Sequence, residues 1–102
     1  MSINAEVIQA SAQRLFPNTT LDQVFVELLL ERAQKNLIKY QAQARQFETK
    51  YHQDFESFRQ TVLRSQPDFE TEQNYFDWEL AVSGIADMEK EIERLRGLSQ
   101  SG

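Results

Sequence analysis

Cysteine is absent from this chain, glycine and proline number only three and two, histidine occurs once, and no long apolar run is present. Each absence closes a class of structure or chemistry. Without cysteine there is no disulfide framework, no thiol nucleophile and no Cys-ligated zinc, so a reducing, cytoplasmic setting is the default expectation. So few turn-forming residues disfavour a β fold rich in tight turns, and abundant Gln, Glu, Leu and Ala favour helix. The longest apolar stretch, Val24 to Leu30, is broken by Glu27 and is far too short to span a bilayer. Met1 to Phe16 is too polar for a secretory signal. The sequence therefore reads as a soluble, all-α protein with no membrane partner.

The 102 residues have room for one domain, expected over residues 1–98 with 99–102 as a frayed tail after Gly97. Charged residues make up 26% of the chain and the net charge is −5. Residues 1–50 carry six Lys or Arg against five acids, whereas 51–102 carry five against eleven. Acidity concentrated in this way disfavours direct binding to a nucleic-acid backbone, which needs clustered Lys and Arg, and suits a basic protein partner.

Helix signals divide the chain into four segments. Ser2 is a candidate N-cap for a short amphipathic helix carrying Ile3, Val7, Ile8, Ala12, Leu15 and Phe16, which Pro17 and Asn18 end. Thr20-Leu-Asp-Gln23 has the capping-box form and opens a long helix. Its apolar spacing of three or four runs from Leu21 to Tyr51 with no Gly or Pro. Thirty residues of helix extend about 45 Å, longer than a compact domain of this size is wide. Asp54 then caps a short helix with Phe55, Phe58, Val62 and Leu63 on one side, and Ser65-Gln-Pro-Asp68 stops it. A second long helix follows from about Phe69, with Gly84 inside it at a cost of about 1 kcal/mol relative to Ala, as a point of close helix approach. The predicted architecture is an elongated antiparallel helical hairpin with a short N-terminal helix and a short helix at the bend.

In that arrangement Leu28, Leu37, Tyr40, Phe47, Val82, Ile85 and Ile92 face the seam. Basic Arg32, Lys35, Lys39, Arg45 and Lys50 are expected near acidic Glu70, Glu72, Asp77, Glu79 and Asp87. A two-layer hairpin of this length exposes more apolar surface than a monomer usually tolerates, which predicts a homodimer.

Catalytic constellations are hard to assemble from this inventory. His52 is the single histidine; no activated nucleophile accompanies it, and it reads as a solvated turn residue. Glu48 and His52 lie one turn apart, but a di-iron bundle needs two such histidines. Glu27 and Glu31, with Glu89, Glu91 and Glu93, offer a minor alternative: an all-α nucleotide pyrophosphohydrolase that holds magnesium on clustered carboxylates. Alternation by two spreads carboxylates around a helix, so a solvated acidic face is the simpler reading. No catalytic, cofactor-binding or metal-binding residue is assigned.

Nine of the eleven aromatic residues lie between Tyr40 and Trp78, interleaved with acids. Such density marks either a bulky knot at a helical bend or a surface reserved for a partner. Phe47-Glu-Thr-Lys-Tyr-His-Gln-Asp-Phe-Glu-Ser-Phe58, followed by Tyr75-Phe-Asp-Trp-Glu79 and an acidic helix, resembles small helical antitoxins of prokaryotic type II toxin–antitoxin modules, over residues 30–96. The turn His52-Gln53-Asp54 departs from the glycine and hydroxyl cap common in that group. The resemblance implies a non-enzymatic protein that binds and silences a small basic toxin encoded nearby. The candidate contact residues are Phe55, Phe58, Phe69, Tyr75, Phe76, Asp77, Trp78 and Glu79, with Tyr75, Phe76 and Trp78 as anchors. A homodimeric helical scaffold or adaptor carries the same features.

Overall fold

The computed structural model describes residues 4–100, with side chains described for 4–98. Four α-helices account for most of these residues: α1 Ala5–Leu15, α2 Leu21–Tyr51, α3 Phe55–Leu63 and α4 Phe69–Gln100. No strand occurs among the described residues. The fold is all-α and elongated, measuring 59 × 33 × 19 Å. Its radius of gyration of 19.7 Å far exceeds the value of about 13 Å expected of a compact chain this long.

Side-chain caps set the helix starts. The Asn4 carboxamide oxygen accepts the N–H groups of Glu6 and Val7 at 3.0 and 3.2 Å, so α1 begins on Asn4; Ser2, the expected cap, lies outside the described residues. At α2 both halves of the capping box form, the Thr20 hydroxyl accepting from Gln23 N–H at 3.2 Å and the Gln23 side chain accepting from Thr20 N–H at 3.1 Å. Asp54 and Asp68 do the same work for α3 and α4, accepting the N–H groups of Ser57 and Thr71 at 2.8 Å each. These hydrogen bonds favour the ionised carboxylates and hold both carboxyls below their usual range. The chain leaves α2 through His52 in the left-handed region, with φ 55°, while its N–H donates to the Glu48 carbonyl at 2.8 Å. At the other end α4 runs past Gly97 to Gln100, and residues 101–102 of the expected tail lie outside the described residues.

Two clusters join α2 to α4. Ala44, Trp78 and Ala81 bury together with Phe58 of α3, and Ala33 buries with Ile92 and Leu95. Position along α2 thus rises as position along α4 falls. Small residues at these contacts let the helices approach closely, and Gly84 faces the Tyr40 ring with no room for a Cβ. Leu37, Phe47, Val82 and Ile85 pack against the clusters as expected. Leu28 does not: it is 46% exposed, because nine residues separate it from Leu37 and about 100° per residue carries it to the opposite side of α2. Val24, near the start of α2, is buried, and α1 also touches α2.

Trp78 is fully buried in an aromatic cage. The rings of Phe58, Phe55, Phe47 and Tyr51 lie at centroid distances of 5.1, 5.4, 5.7 and 6.3 Å. Its indole N–H has no hydrogen-bond partner among the described residues, a cost of roughly 1–3 kcal/mol set against this packing. Tyr51, beneath the indole, accepts a 2.6 Å hydrogen bond from the Asn74 side chain, which fixes the end of α2 to α4.

Candidate protein-binding face

With Trp78 pointing into the core, helical geometry decides what faces solvent. Phe76 and Leu80 lie two residues to either side of it, about 200° around the helix, and Phe69 lies nine residues before it, about 180° away. All three share the outer side of α4 and are 48%, 68% and 83% exposed for Phe76, Leu80 and Phe69 respectively. Spacings of seven and four align them along one side of α4, with Glu72 and Gln73 between Phe69 and Phe76. Leu80 also borders a groove between α2 and α4 that Tyr40, Gln43, Gln46, Phe47 and Asp77 complete.

The stripe is bordered by acids. Between Arg64 and Lys90 the chain holds seven Asp or Glu and no Lys, Arg or His. Only one of those acids pairs with a base among the described residues, Glu70 with Lys50 at 2.9 Å, and that hydrogen bond raises the Lys50 pKa. Asp77 accepts from the Gln73 carboxamide at 3.1 Å and Glu79 from the Tyr75 hydroxyl at 3.2 Å, contacts that orient both carboxylates without neutralising them. The broad cross-helix charge pairing expected from sequence is therefore replaced by this single contact. The remaining ion pairs among the described residues are local, as in Glu31 with Lys35, Glu56 with Arg59 and Glu91 with Arg94. Exposed i,i+3 and i,i+4 pairs contribute about 0.3–0.5 kcal/mol each and leave the α4 acids uncompensated.

The eight residues singled out from sequence separate into three groups. Phe69, Phe76, Asp77 and Glu79 are exposed and available to a partner. Phe55 and Tyr75 are half-buried, stacked on each other at 5.8 Å, with Tyr75 edge-on to Phe76 at 5.5 Å. Phe58 and Trp78, 2% and 0% exposed, are core residues that no partner can touch in this fold. Leu80 and the groove residues Gln43 and Gln46, which lie on or beside this face, were not among the eight. The signal was present in the run of acids without a base and in the half-turn offset of Phe76 and Leu80 from Trp78.

His52 is exposed at its helix end, and no group of three or more His, Asp or Glu residues converges as a metal site among the described residues. Glu89 and Glu93 share a shallow groove with Gln34 and Arg96. No helix is long and apolar enough to cross a membrane. No family model, no curated protein and no solved structure matches the chain.

Proposed function

We propose that the chain is a non-enzymatic protein-binding module, an antitoxin whose helical hairpin sequesters a small basic toxin and which acts in the cytoplasm as a homodimer. One observation carries this reading: the outer side of α4 presents Phe69, Phe76 and Leu80 to solvent among acids of which only Glu70 pairs with a base among the described residues. Aromatic anchors at an interface centre often contribute 2 kcal/mol or more, and uncompensated carboxylates steer a cationic partner toward them. The antitoxin resemblance of residues 30–96 supplies the kind of partner. The elongated shape also suits a scaffold or adaptor, which would use the same face for a different basic protein.

Co-expression with the neighbouring gene tests the reading. That gene is expected to be toxic alone and harmless with this chain, and Phe76→Ala or Asp77→Lys is expected to restore toxicity while the purified variant keeps its helical circular-dichroism spectrum. A neighbouring gene that is harmless alone, or equally toxic in the presence of this chain, replaces the antitoxin reading with the scaffold one.

A further inference from the structure

A second apolar surface lies at the α1 end, away from the α4 stripe. α1 buries none of its residues: Val7, Ile8 and Leu15 are 59%, 42% and 75% exposed. Beside it on α2, Phe25, Leu28 and Leu29 are 48%, 46% and 57% exposed. At about 100° per residue these three occupy an arc between the side carrying buried Val24 and the side carrying buried Ala33. Neither α1 nor α4 covers that arc.

We infer that this surface joins two copies of the chain through a two-fold contact; the inference rests on the homodimeric part of the functional reading and is independent of the toxin. The first support is area. The chain exposes 8053 Å², whereas a compact monomer of 12.0 kDa exposes about 6,000 Å². A standard interface removes about 800 Å² per partner, well within that excess.

The second support is charge, which distinguishes a second copy from a basic partner. Residues 38–87, around α3, hold five Lys or Arg against nine Asp or Glu, a net −4 that leaves −1 for the rest of the chain's −5. A two-fold contact sets each patch against itself, so a strongly acidic surface repels its own copy and a balanced one does not. At the α1 end both signs occur along α2, as Glu27 and Glu31 against Arg32 and Lys35, and Glu31 and Lys35 already pair at 3.2 Å. A cationic partner finds no field there; a second copy finds a neutral apolar patch with a mixed rim. Joining at this end also leaves the acidic α3 ends of the two copies apart, each with its α4 stripe open.

The test is sedimentation equilibrium on the full chain over about 1–200 μM, combined with bismaleimide cross-linking. Since the chain has no cysteine, single substitutions report on one position at a time. The expected mass is twice 12.0 kDa. Leu28→Glu is expected to weaken the dimer at least about 100-fold, since burying an unpaired charge costs several kcal/mol and 1.4 kcal/mol is tenfold. Phe76→Glu is expected to leave the dimer intact, and Leu28→Cys is expected to cross-link between copies where Phe76→Cys does not. If Leu28→Glu lowers helicity, Leu29→Ser at its more exposed neighbour carries the same expectation of a weakened dimer. A chain of 12.0 kDa throughout the range overturns both the dimer and its surface. A dimer that survives the α2 substitutions but dissociates with Phe76→Glu overturns the surface alone.

Discussion

A methyl group placed on Gly84 would lie 2.7 Å from Cδ2 of Tyr40 and 2.8 Å from Cγ of the same ring. No real side chain sits that close, so α2 and α4 meet here at a distance only glycine allows. Gly84→Ala gains about 1 kcal/mol of helix propensity and incurs an overpacking cost of about 1–3 kcal/mol. The expected net result in urea denaturation is a loss of about 1 kcal/mol. In a Tyr40→Ala background the same substitution is expected to stabilise, because the ring it strikes is gone.

Replacing His52 by glycine is expected to raise stability by about 1 kcal/mol. At φ 55° a residue with a Cβ is strained, and glycine is not. An unchanged or lower melting temperature for His52→Gly would mean that the His52 side chain contributes a contact outweighing that strain.

Asp54 and Asp68 give the acid side of the stability profile. Both carboxyls are held below their unfolded value, so their contribution is complete above about pH 4 and is lost as pH falls through the depressed native values. Melting temperature is expected to fall below about pH 4, and Asp54→Asn combined with Asp68→Asn is expected to lower it by a few degrees at pH 7 and flatten the acid drop. Lys50 acts in the opposite direction. Its pKa is raised, chiefly by the hydrogen bond with Glu70, so its contribution is present below the ordinary lysine range and is lost at higher pH as the raised native value is crossed.

Trp78 and Phe76 separate folding from binding. Trp78→Ala is expected to cost about 3–5 kcal/mol, a large part of the 5–15 kcal/mol that usually holds a domain together. Phe76→Ala is expected to change stability by no more than about 0.5 kcal/mol while weakening partner capture at least tenfold. As the single tryptophan, fully buried, Trp78 is expected to emit at blue-shifted wavelength and to resist quenching by acrylamide. Emission typical of solvated indole would show that the aromatic cage is not closed in solution.

Features governed by local rules were legible before the fold was known. The capping box at Thr20, the cap at Asp54 and the close approach at Gly84 each follow from a short stretch of chain and a steric or hydrogen-bonding requirement. Leu28 was misplaced because α2 carries apolar residues on two arcs near its start, and periodicity alone does not say which arc meets α4. The aromatic run from Tyr75 to Trp78 had the same ambiguity. Only once Trp78 is fixed in the core does the half-turn to Phe76 place that ring in solvent. Pairing between α2 bases and α4 acids depends on which turns of the two helices meet, and side-chain types alone foretold Lys50–Glu70 no better than the pairs that do not form.

The two buried clusters differ in weight, and that difference sets an order of opening. Ala44 and Ala33 are eleven residues apart, about 16 Å along α2. The cluster near α3 is built of large stacked rings, the one near α1 of smaller aliphatic groups, and α1 itself contributes no buried residue. Amide hydrogen exchange should therefore be graded along the rod, fastest in α1, slower beside Ala33 and slowest around Trp78. An excursion that frays the α1 end leaves the ringed end folded, so the chain can lose contact with a second copy and still present the α4 stripe intact.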